Sequence, residues 1–229
     1  MKILLVTHAT FEQPGSIKTW AEHNGHLIEE VKPYAGETLP EIIPFDMVVM
    51  MGGPQSPLTI ENTPYLNDEI EMLKIALKKN KKIIGVCLGA QLIAEALGAK
   101  TERSPNREIG SYSLTLLEDA KCDPVFSQYD STIDVMHWHS DMPGIPKGAK
   151  LIAKSEGCPR QIFRYGDRVY GFQCHFELTK KLVDGMIRHC KHDLKNGDFV
   201  MTEKELANVD YDEINSKMDA VLDYLSQLN

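Results

Sequence analysis

Short apolar runs alternate with helical patterns through the first half of the chain, and this alternation constrains the fold more than any other feature. Apolar runs at residues 3–6, 27–31, 45–51 and 83–86 are separated by helical patterns, among them an apolar stripe that begins at Leu66. Strands that alternate with helices in this way form parallel sheets with crossover helices. The sequence therefore predicts an α/β fold of three layers, in which a mostly parallel central sheet is flanked by helices.

The second half of the chain has a different pattern. After a buried helix predicted at 88–97, short strands separated by Gly and Pro are predicted at residues 110–117, 132–136, 150–153, 161–164 and 169–174. We expect these strands to form a smaller mixed or antiparallel extension of the sheet. Two helical stripes, one beginning at Leu182 and the other at Ile214, close the chain. Without an internal repeat or a linker, residues 1–229 are predicted to be one domain, with a core over about 1–195 and a helical extension over about 199–229.

Composition excludes several classes of function. The chain has 229 residues, and its 25 Lys and Arg against 33 Asp and Glu give a formal net charge of −8. We therefore expect no nucleic-acid partner and no membrane surface, since both require clustered cations. No apolar stretch approaches the roughly 20 residues of a membrane span, and no signal-peptide pattern is present, so a cytoplasmic location is expected. Five cysteines without a C-x-x-C pair predict at least one free thiol and no structural zinc or cofactor.

Residues 82–91 read Lys-Ile-Ile-Gly-Val-Cys-Leu-Gly-Ala-Gln and predict a strand, a cramped turn and the start of a helix. Gly85 and Gly89 provide the room that such a nucleophile elbow needs. A thiol at a helix N-terminus is favoured as thiolate, and the N–H of Leu88 would point toward a reacting carbonyl. Cys87 is therefore a candidate nucleophile. The alternative is a free cysteine that acts as a small buried apolar side chain.

A second segment, Gly-Phe-Gln-Cys-His-Phe-Glu at 171–177, favours catalysis over that alternative. Side chains alternate along a strand, so Gln173, His175 and Glu177 are expected on one face. His175 can then take a proton from Cys87, and Glu177 can orient the imidazole. A lone histidine in a strand would more often be structural.

A third segment, Met-Gly-Gly-Pro at 51–54, follows an earlier strand. It would place the N–H of Gly53 opposite that of Leu88. Two such donors form an oxyanion hole, which stabilises the negative oxygen of a tetrahedral intermediate.

These three segments, in this order and spacing, resemble the class I glutamine amidotransferases, particularly the amidotransferase domain of GMP synthetase. The resemblance covers roughly residues 1–195 and rests on three ordered motifs. It implies the flavodoxin-like fold of that family and hydrolysis of glutamine through a γ-glutamyl thioester, with release of ammonia. It also implies that Cys87, His175 and Glu177 form a catalytic triad, with Gly53 and Leu88 as oxyanion donors.

The resemblance also implies a substrate site. Gln91 matches the family residue that contacts glutamine, and the loop at 137–141 resembles the segment that holds the substrate's amino-acid end. The predicted substrate-binding residues are Gly52, Gln91, Trp138, His139, Ser140 and Asp141. Two positions depart from the family pattern: the chain has Gln-Cys-His-Phe-Glu where Gln-Phe-His-Pro-Glu is usual, and Leu88 replaces a frequent aromatic residue.

Several alternatives stay open at this point. The roughly thirty residues after Gly197 are too few for a synthase domain, so ammonia would pass to a separate synthase subunit, or the enzyme would hydrolyse another γ-glutamyl compound, as γ-glutamyl peptidases do. The pattern His137, His139 and Asp141 is a metal-site alternative. Stress-related proteins with a cysteine elbow usually have His where Leu88 stands. A non-catalytic binding module, a homodimer, and a contribution of the loop at 7–15 to the site are further alternatives.

Overall fold

The computed structural model describes residues 1–195 and 197–229. In this part of the chain the strands are β1 (Lys2–Val6), β2 (Leu27–Val31), β3 (Met47–Met50), β4 (Lys82–Val86), β5 (Glu102–Leu116), β6 (Thr132–Met142), β7 (Lys150–Lys154), β8 (Ile162–Tyr165) and β9 (Val169–Phe172). The α-helices are α1 (Ser16–His23), α2 (Tyr65–Lys78), α3 (Leu88–Ala96), α4 (Lys180–Cys190), α5 (Glu203–Leu206) and α6 (Tyr211–Gln227).

All of these strands belong to one sheet, in the order β2-β1-β3-β4-β9-β8-β7-β5-β6. The strands from β2 to β9 are parallel to one another. From β9 onward every pairing is antiparallel. The predicted α/β fold with an antiparallel extension is confirmed, although the extension contributes as many strand pairs as the parallel part.

The helices cover both faces of the parallel part. Along β1, Ile3 and Leu5 pack with residues of α1, α4 and α6 in one apolar core. Leu4 and Val6 point to the other face and pack with residues of α2 and α3 in a second core. Because successive side chains on a strand point to opposite faces, an apolar run without alternation requires cover on both sides. The three predicted layers follow from this burial.

The ends of three strands differ from the predictions. β5 begins at Glu102 and β6 continues to Met142, so both are longer than expected. Pro105 and a register shift between Arg103 and Glu108 interrupt the pairing of β5, which hides its first half from a pattern search. β9 is shorter and ends at Phe172, after which His175 makes a single bridge to Met136.

The turn before α3 lies at the carboxyl end of β4, in the middle of the sheet, with β3 and β9 as its neighbours. Ligand sites of open α/β sheets occur at this edge. All five cysteines carry free thiols. Across the described residues, none of the helices has both the length and the apolar character needed to cross a membrane.

Candidate active site

Cys87 occupies a tight turn between β4 and α3, with a positive φ of 52°. The two flanking positions must be glycine, because any side chain there would clash with neighbouring backbone. A Cβ on Gly85 would lie 2.5 Å from the carbonyl carbon and oxygen of Gly89, and a Cβ on Gly89 would lie 2.1 Å from the carbonyl oxygen of Met50. The turn therefore holds the nucleophile candidate in a conformation that side chains rarely adopt, and it does so by close packing of backbone.

The thiol of Cys87 is almost enclosed, with 8% of the residue exposed. Its Sγ lies 3.4 Å from Nε2 of Gln173 and 3.8 Å from the carbonyl oxygen of Trp138. The backbone N–H of Cys87 donates to the carbonyl of Phe172 over 2.7 Å, which fixes the turn to β9. Cys87 is also the N-cap of α3, so its side chain lies at the N-terminal end of the helix.

His175 and Glu177 form a buried pair, with Nδ1 of the imidazole 2.7 Å from Oε1 of the carboxylate. Burial alone lowers the pKa of His175, but the charge of Glu177 and hydrogen bonds with Cys87 and Glu177 outweigh it and raise the pKa well above its usual value. The other ring nitrogen, Nε2, faces Cys87 and makes no further hydrogen bond within the described residues. It is thus free to exchange a proton with the neighbouring Cys87.

The backbone around Glu177 is held from two sides. The N–H of Ser16 donates to the carbonyl of Glu177 over 3.0 Å. The side-chain amide of Asn215, on α6, donates to the carbonyls of Phe176 (2.7 Å) and Leu178 (2.9 Å). These bonds fix the segment in which the family usually has a proline.

Gly53 and Leu88 are neighbours beside Cys87. A Cβ on Gly53 would lie 3.2 Å from Cδ2 of Leu88 and 2.5 Å from Cβ of His8. Leu88 is the first residue of α3, where a backbone N–H has no acceptor within the helix. Buried His8 anchors this wall, since its Nε2 lies 2.9 Å from Oε2 of Glu69 on α2. A backbone N–H at the first position of a helix, next to a glycine, is a group that can donate to an oxyanion.

Most of the predicted site residues line one cleft of about 460 Å³. Those that line it are Gly53, Cys87, Gln91, Trp138, His139, Ser140 and Asp141. Gly52 lies beside Cys87 and His175. A Cβ built on Gly52 would be 3.4 Å from Cβ of Cys87 and 3.5 Å from Cε1 of His175. Buried Gln91 donates to Oε1 of Gln173 over 3.0 Å, while its own carbonyl oxygen has no partner in the described part of the chain.

The metal-site pattern of the sequence does not assemble as a set. Asp141 accepts from Oγ of Ser56 over 2.6 Å and from Nη1 of Arg103 over 2.7 Å. Glu108, not Asp141, faces the two histidines: its Oε2 lies 3.0 Å from Nε2 of His139 and 3.6 Å from Nδ1 of His137.

The amide of Gln161 lies between these groups. Its Nε2 is 2.6 Å from Oε2 of Glu108, 3.2 Å from Nε2 of His139 and 2.9 Å from Oγ of Ser155. Burial raises the pKa of Glu108, but the hydrogen bond with His139 and the proximity of the imidazoles of His137 and His139 lower it by more. The side-chain amide of Gln161 thus lies within hydrogen-bond distance of Glu108, His139 and Ser155, and these buried groups form one polar network beneath the loop at 137–141.

Four charged residues of the cleft were not predicted: Glu12, Arg103, Arg107 and Asp193. Nε of Arg107 donates to Oγ of Ser140 over 3.1 Å, and Nε1 of Trp138 donates to Oδ2 of Asp193 over 3.3 Å. The turn-rich loop at 7–15 gave a weak signal for Glu12. Arg103, Arg107 and Asp193 lie in segments whose sequence contains no motif that would indicate a site.

Comparisons with known proteins identify the family of this chain. The family model for glutamine amidotransferase class-I matches residues 16–190. The glutamine amidotransferase-like protein YfeJ of Salmonella typhimurium is 42% identical over 99% of this chain and 98% of its own length. The crystal structure of SMU.1228c superposes with a TM-score of 0.94 at 41% identity, over 99% of this chain and 100% of that one. The GMP synthase of Anaplasma marginale is 27% identical over 70% of this chain, which spans only 32% of that protein.

The chain belongs to the class I glutamine amidotransferase family. The resemblance inferred from the three motifs is thereby confirmed, as is the family's α/β fold. Membership supports glutamine hydrolysis as the general chemistry of such a domain.

Proposed function

We propose that this protein hydrolyses the γ-glutamyl amide of glutamine through a thioester on Cys87 and releases ammonia. One observation carries the proposal: a thiol on a strained turn at a helix N-terminus stands beside an imidazole that a buried carboxylate holds at 2.7 Å. A nucleophile, a base and an orienting group in this order are the elements of acyl transfer.

In the first half of the reaction, the thiolate of Cys87 attacks the γ-carbonyl carbon. The N–H groups of Gly53 and Leu88 bind the oxygen as it becomes negative. His175 gives the proton on Nε2 to the departing nitrogen, and Glu177 stabilises the imidazolium before this transfer. The raised pKa of His175 suits this role, because it keeps the ring protonated beside a thiolate.

In the second half, water enters and His175 accepts its proton as the oxygen attacks the thioester. The products are glutamate and the free thiol. The amino-acid end of the substrate carries both a carboxylate and an ammonium group. We assign it to the part of the cleft where Arg107 and Ser140 lie beside Asp141 and Asp193, since charges of both signs are present there.

A second candidate is hydrolysis of γ-glutamyl amines or of glutathione-like peptides. The cleft volume of about 460 Å³ favours it, because this lies in the usual range of small-molecule sites and leaves space beyond a primary amide.

If glutamine is the substrate, a separate synthase subunit is the proposed receiver of ammonia. We also propose that residues 1–229 act as one domain, in the cytoplasm, where the five thiols stay reduced.

The test is release of ammonia or amine from glutamine, glutathione and γ-glutamyl amines by the wild type, Cys87→Ala and Cys122→Ala. Cys122 is exposed and outside the cleft, so its substitution controls for loss of a thiol. We expect Cys87→Ala to remove turnover and Cys122→Ala to preserve it. Equal rates for the wild type and Cys87→Ala on every substrate would contradict the proposal, and the preferred substrate decides between the two candidates.

A further inference from the structure

Glu12, on the loop between β1 and α1, brings a carboxylate to the reaction centre. A Cβ built on Gly52 would lie 2.5 Å from Oε2 of Glu12, 3.4 Å from Cβ of Cys87 and 3.5 Å from Cε1 of His175. The carboxylate, the nucleophile candidate and the imidazole therefore surround one point in the cleft wall.

The carboxylate approaches the centre at Gly52, next to both Cys87 and His175, and not at Gly53. The same construction on the next residue, Gly53, meets Gln55, His8 and Leu88 and no atom of Glu12 among its nearest neighbours. Gly53 and Leu88 are the proposed donors to the oxygen of the substrate. In a tetrahedral intermediate the leaving nitrogen points away from these donors and toward the imidazole that protonates it. Glu12 is thus placed beside the leaving group.

No described residue satisfies this carboxylate, because Glu12 makes neither a hydrogen bond nor an ion pair in the part of the chain described here. The residue is half-buried and lines the cleft, and the partial burial of its carboxyl group raises its pKa to about 7. The positive charges of His175 and His8 lower this pKa, and the negative charges of Glu177 and Asp193 raise it. An acceptor without a partner in a ligand cleft suggests a donor on the ligand.

We propose that Glu12 accepts a hydrogen bond from the leaving nitrogen of the γ-glutamyl substrate and so selects amides over esters. The inference rests on the proposed function. As the carbon–nitrogen bond breaks, the electron pair goes to nitrogen, His175 supplies one proton, and an N–H that the amide already carries points to Glu12. Above pH 7 Glu12 is ionised, and its carboxylate changes no protonation state in this step.

The number of N–H groups then sets the substrate class. A primary amide such as glutamine has two, a γ-glutamyl amine has one, and a γ-glutamyl ester has none. Hydrogen bonds to charged groups contribute more than neutral ones. Glu12 should therefore accelerate formation of the thioester from amides and leave its formation from esters almost unchanged.

The experiment compares kcat/KM for glutamine and for glutamic acid γ-methyl ester, because this constant reports thioester formation. The proteins are the wild type, Glu12→Ala, Glu12→Gln, Cys87→Ala and, as a matched control, Glu22→Gln on the exposed face of α1. We expect Glu12→Ala to lower the value for glutamine roughly 10- to 100-fold and the value for the ester by less than about 3-fold. Glu12→Gln should fall between Glu12→Ala and the wild type on glutamine, and Glu22→Gln should match the wild type.

Equal losses on amide and ester would overturn the inference, since Glu12 would then act on the nucleophile or on the fold. Unchanged turnover of both substrates by Glu12→Ala would overturn it as well. Preserved ester turnover shows that the variant is folded. Failure of the proposed function has a different signature, in which the wild type and Cys87→Ala turn over both substrates equally.

Discussion

The side chain of Asn215 links the C-terminal helix to the candidate triad, and removing it should impair both stability and turnover. It is 9% exposed, and its amide donates to the carbonyls of Phe176 and Leu178 over 2.7 and 2.9 Å. Glu177 lies between these two carbonyls. In Asn215→Ala both oxygens lose a buried donor. Since each unsatisfied buried group costs roughly 1–3 kcal/mol, we expect the free energy of unfolding to fall by about 2–6 kcal/mol.

The effect on turnover has a separate cause. In the proposed mechanism Glu177 orients His175 through one contact of 2.7 Å. A displacement on the order of 1 Å at a reacting group costs about 10²-fold in rate. We expect kcat for glutamine to fall between about 10- and 100-fold, with little change in KM, because Asn215 lies outside the cleft lining. Urea denaturation measures the first effect, and kinetics at a temperature where the variant is fully folded measure the second.

Asn208→Ala is the matched control, because the exposed Asn208 amide makes one hydrogen bond, to the carbonyl of Lys204 over 2.8 Å. A surface change of this kind usually stays within about 0.5 kcal/mol. The reasoning is refuted if Asn215→Ala is as stable and as active as Asn208→Ala. A variant that is destabilised but has wild-type kcat when folded would refute the link to Glu177 alone.

Two further predictions concern the elbow and the buried histidines. Gly89→Ala should lower the free energy of unfolding by about 1–3 kcal/mol or more and remove most of the turnover, because its Cβ would lie 2.1 Å from the carbonyl oxygen of Met50. Thermal denaturation measures this loss of stability. The control Gly185→Ala, in α4, should be as stable as the wild type, because its Cβ would meet nothing closer than 3.8 Å. Burial lowers the pKa of His137 to about 4 from 6.5, so its neutral form stabilises the fold above pH 6.5 and this stability is lost as pH falls toward 4. In urea titrations between pH 7 and 4.5, this group should change the free energy of unfolding by up to about 1.4 kcal/mol per pH unit. This pH dependence should be weaker in His137→Gln and unchanged in the control His23→Gln. Equal slopes in the two variants would contradict the assignment.

The parallel part of the fold and the elbow could be predicted because their signals are local. A strand buried on both faces is a continuous apolar run. A cramped turn requires small residues at Gly85 and Gly89, because a Cβ at either position would come within 2.5 Å of backbone atoms. His175 and Glu177 are two residues apart, so alternation placed them together even though β9 ends at Phe172. In each case the physical constraint and the residues that reveal it lie in the same short segment.

The rest depends on contacts between distant segments. Glu108 appears in the sequence as one charged residue among polar neighbours, and its burial follows only from pairing of β5 with β6 and from Gln161, 53 residues further on. Arg103 and Asp193 line the cleft because segments that are distant in the sequence meet there in the fold. A search for local patterns has no access to such contacts.

The C-terminal residues are part of the site's construction, although the sequence suggested only a helical extension. Beyond α4, Asp193 accepts from the indole of Trp138, and further on the backbone of Ile109 exchanges hydrogen bonds with Phe199 and Met201 over 2.8 Å each. The same part of the chain then supplies α6. One side of the cleft and the backbone that aims Glu177 thus depend on residues after 190, which lie outside the segment matched by the family model. A truncation there should therefore be interpreted as damage to the active site before it is interpreted as loss of a partner-binding surface.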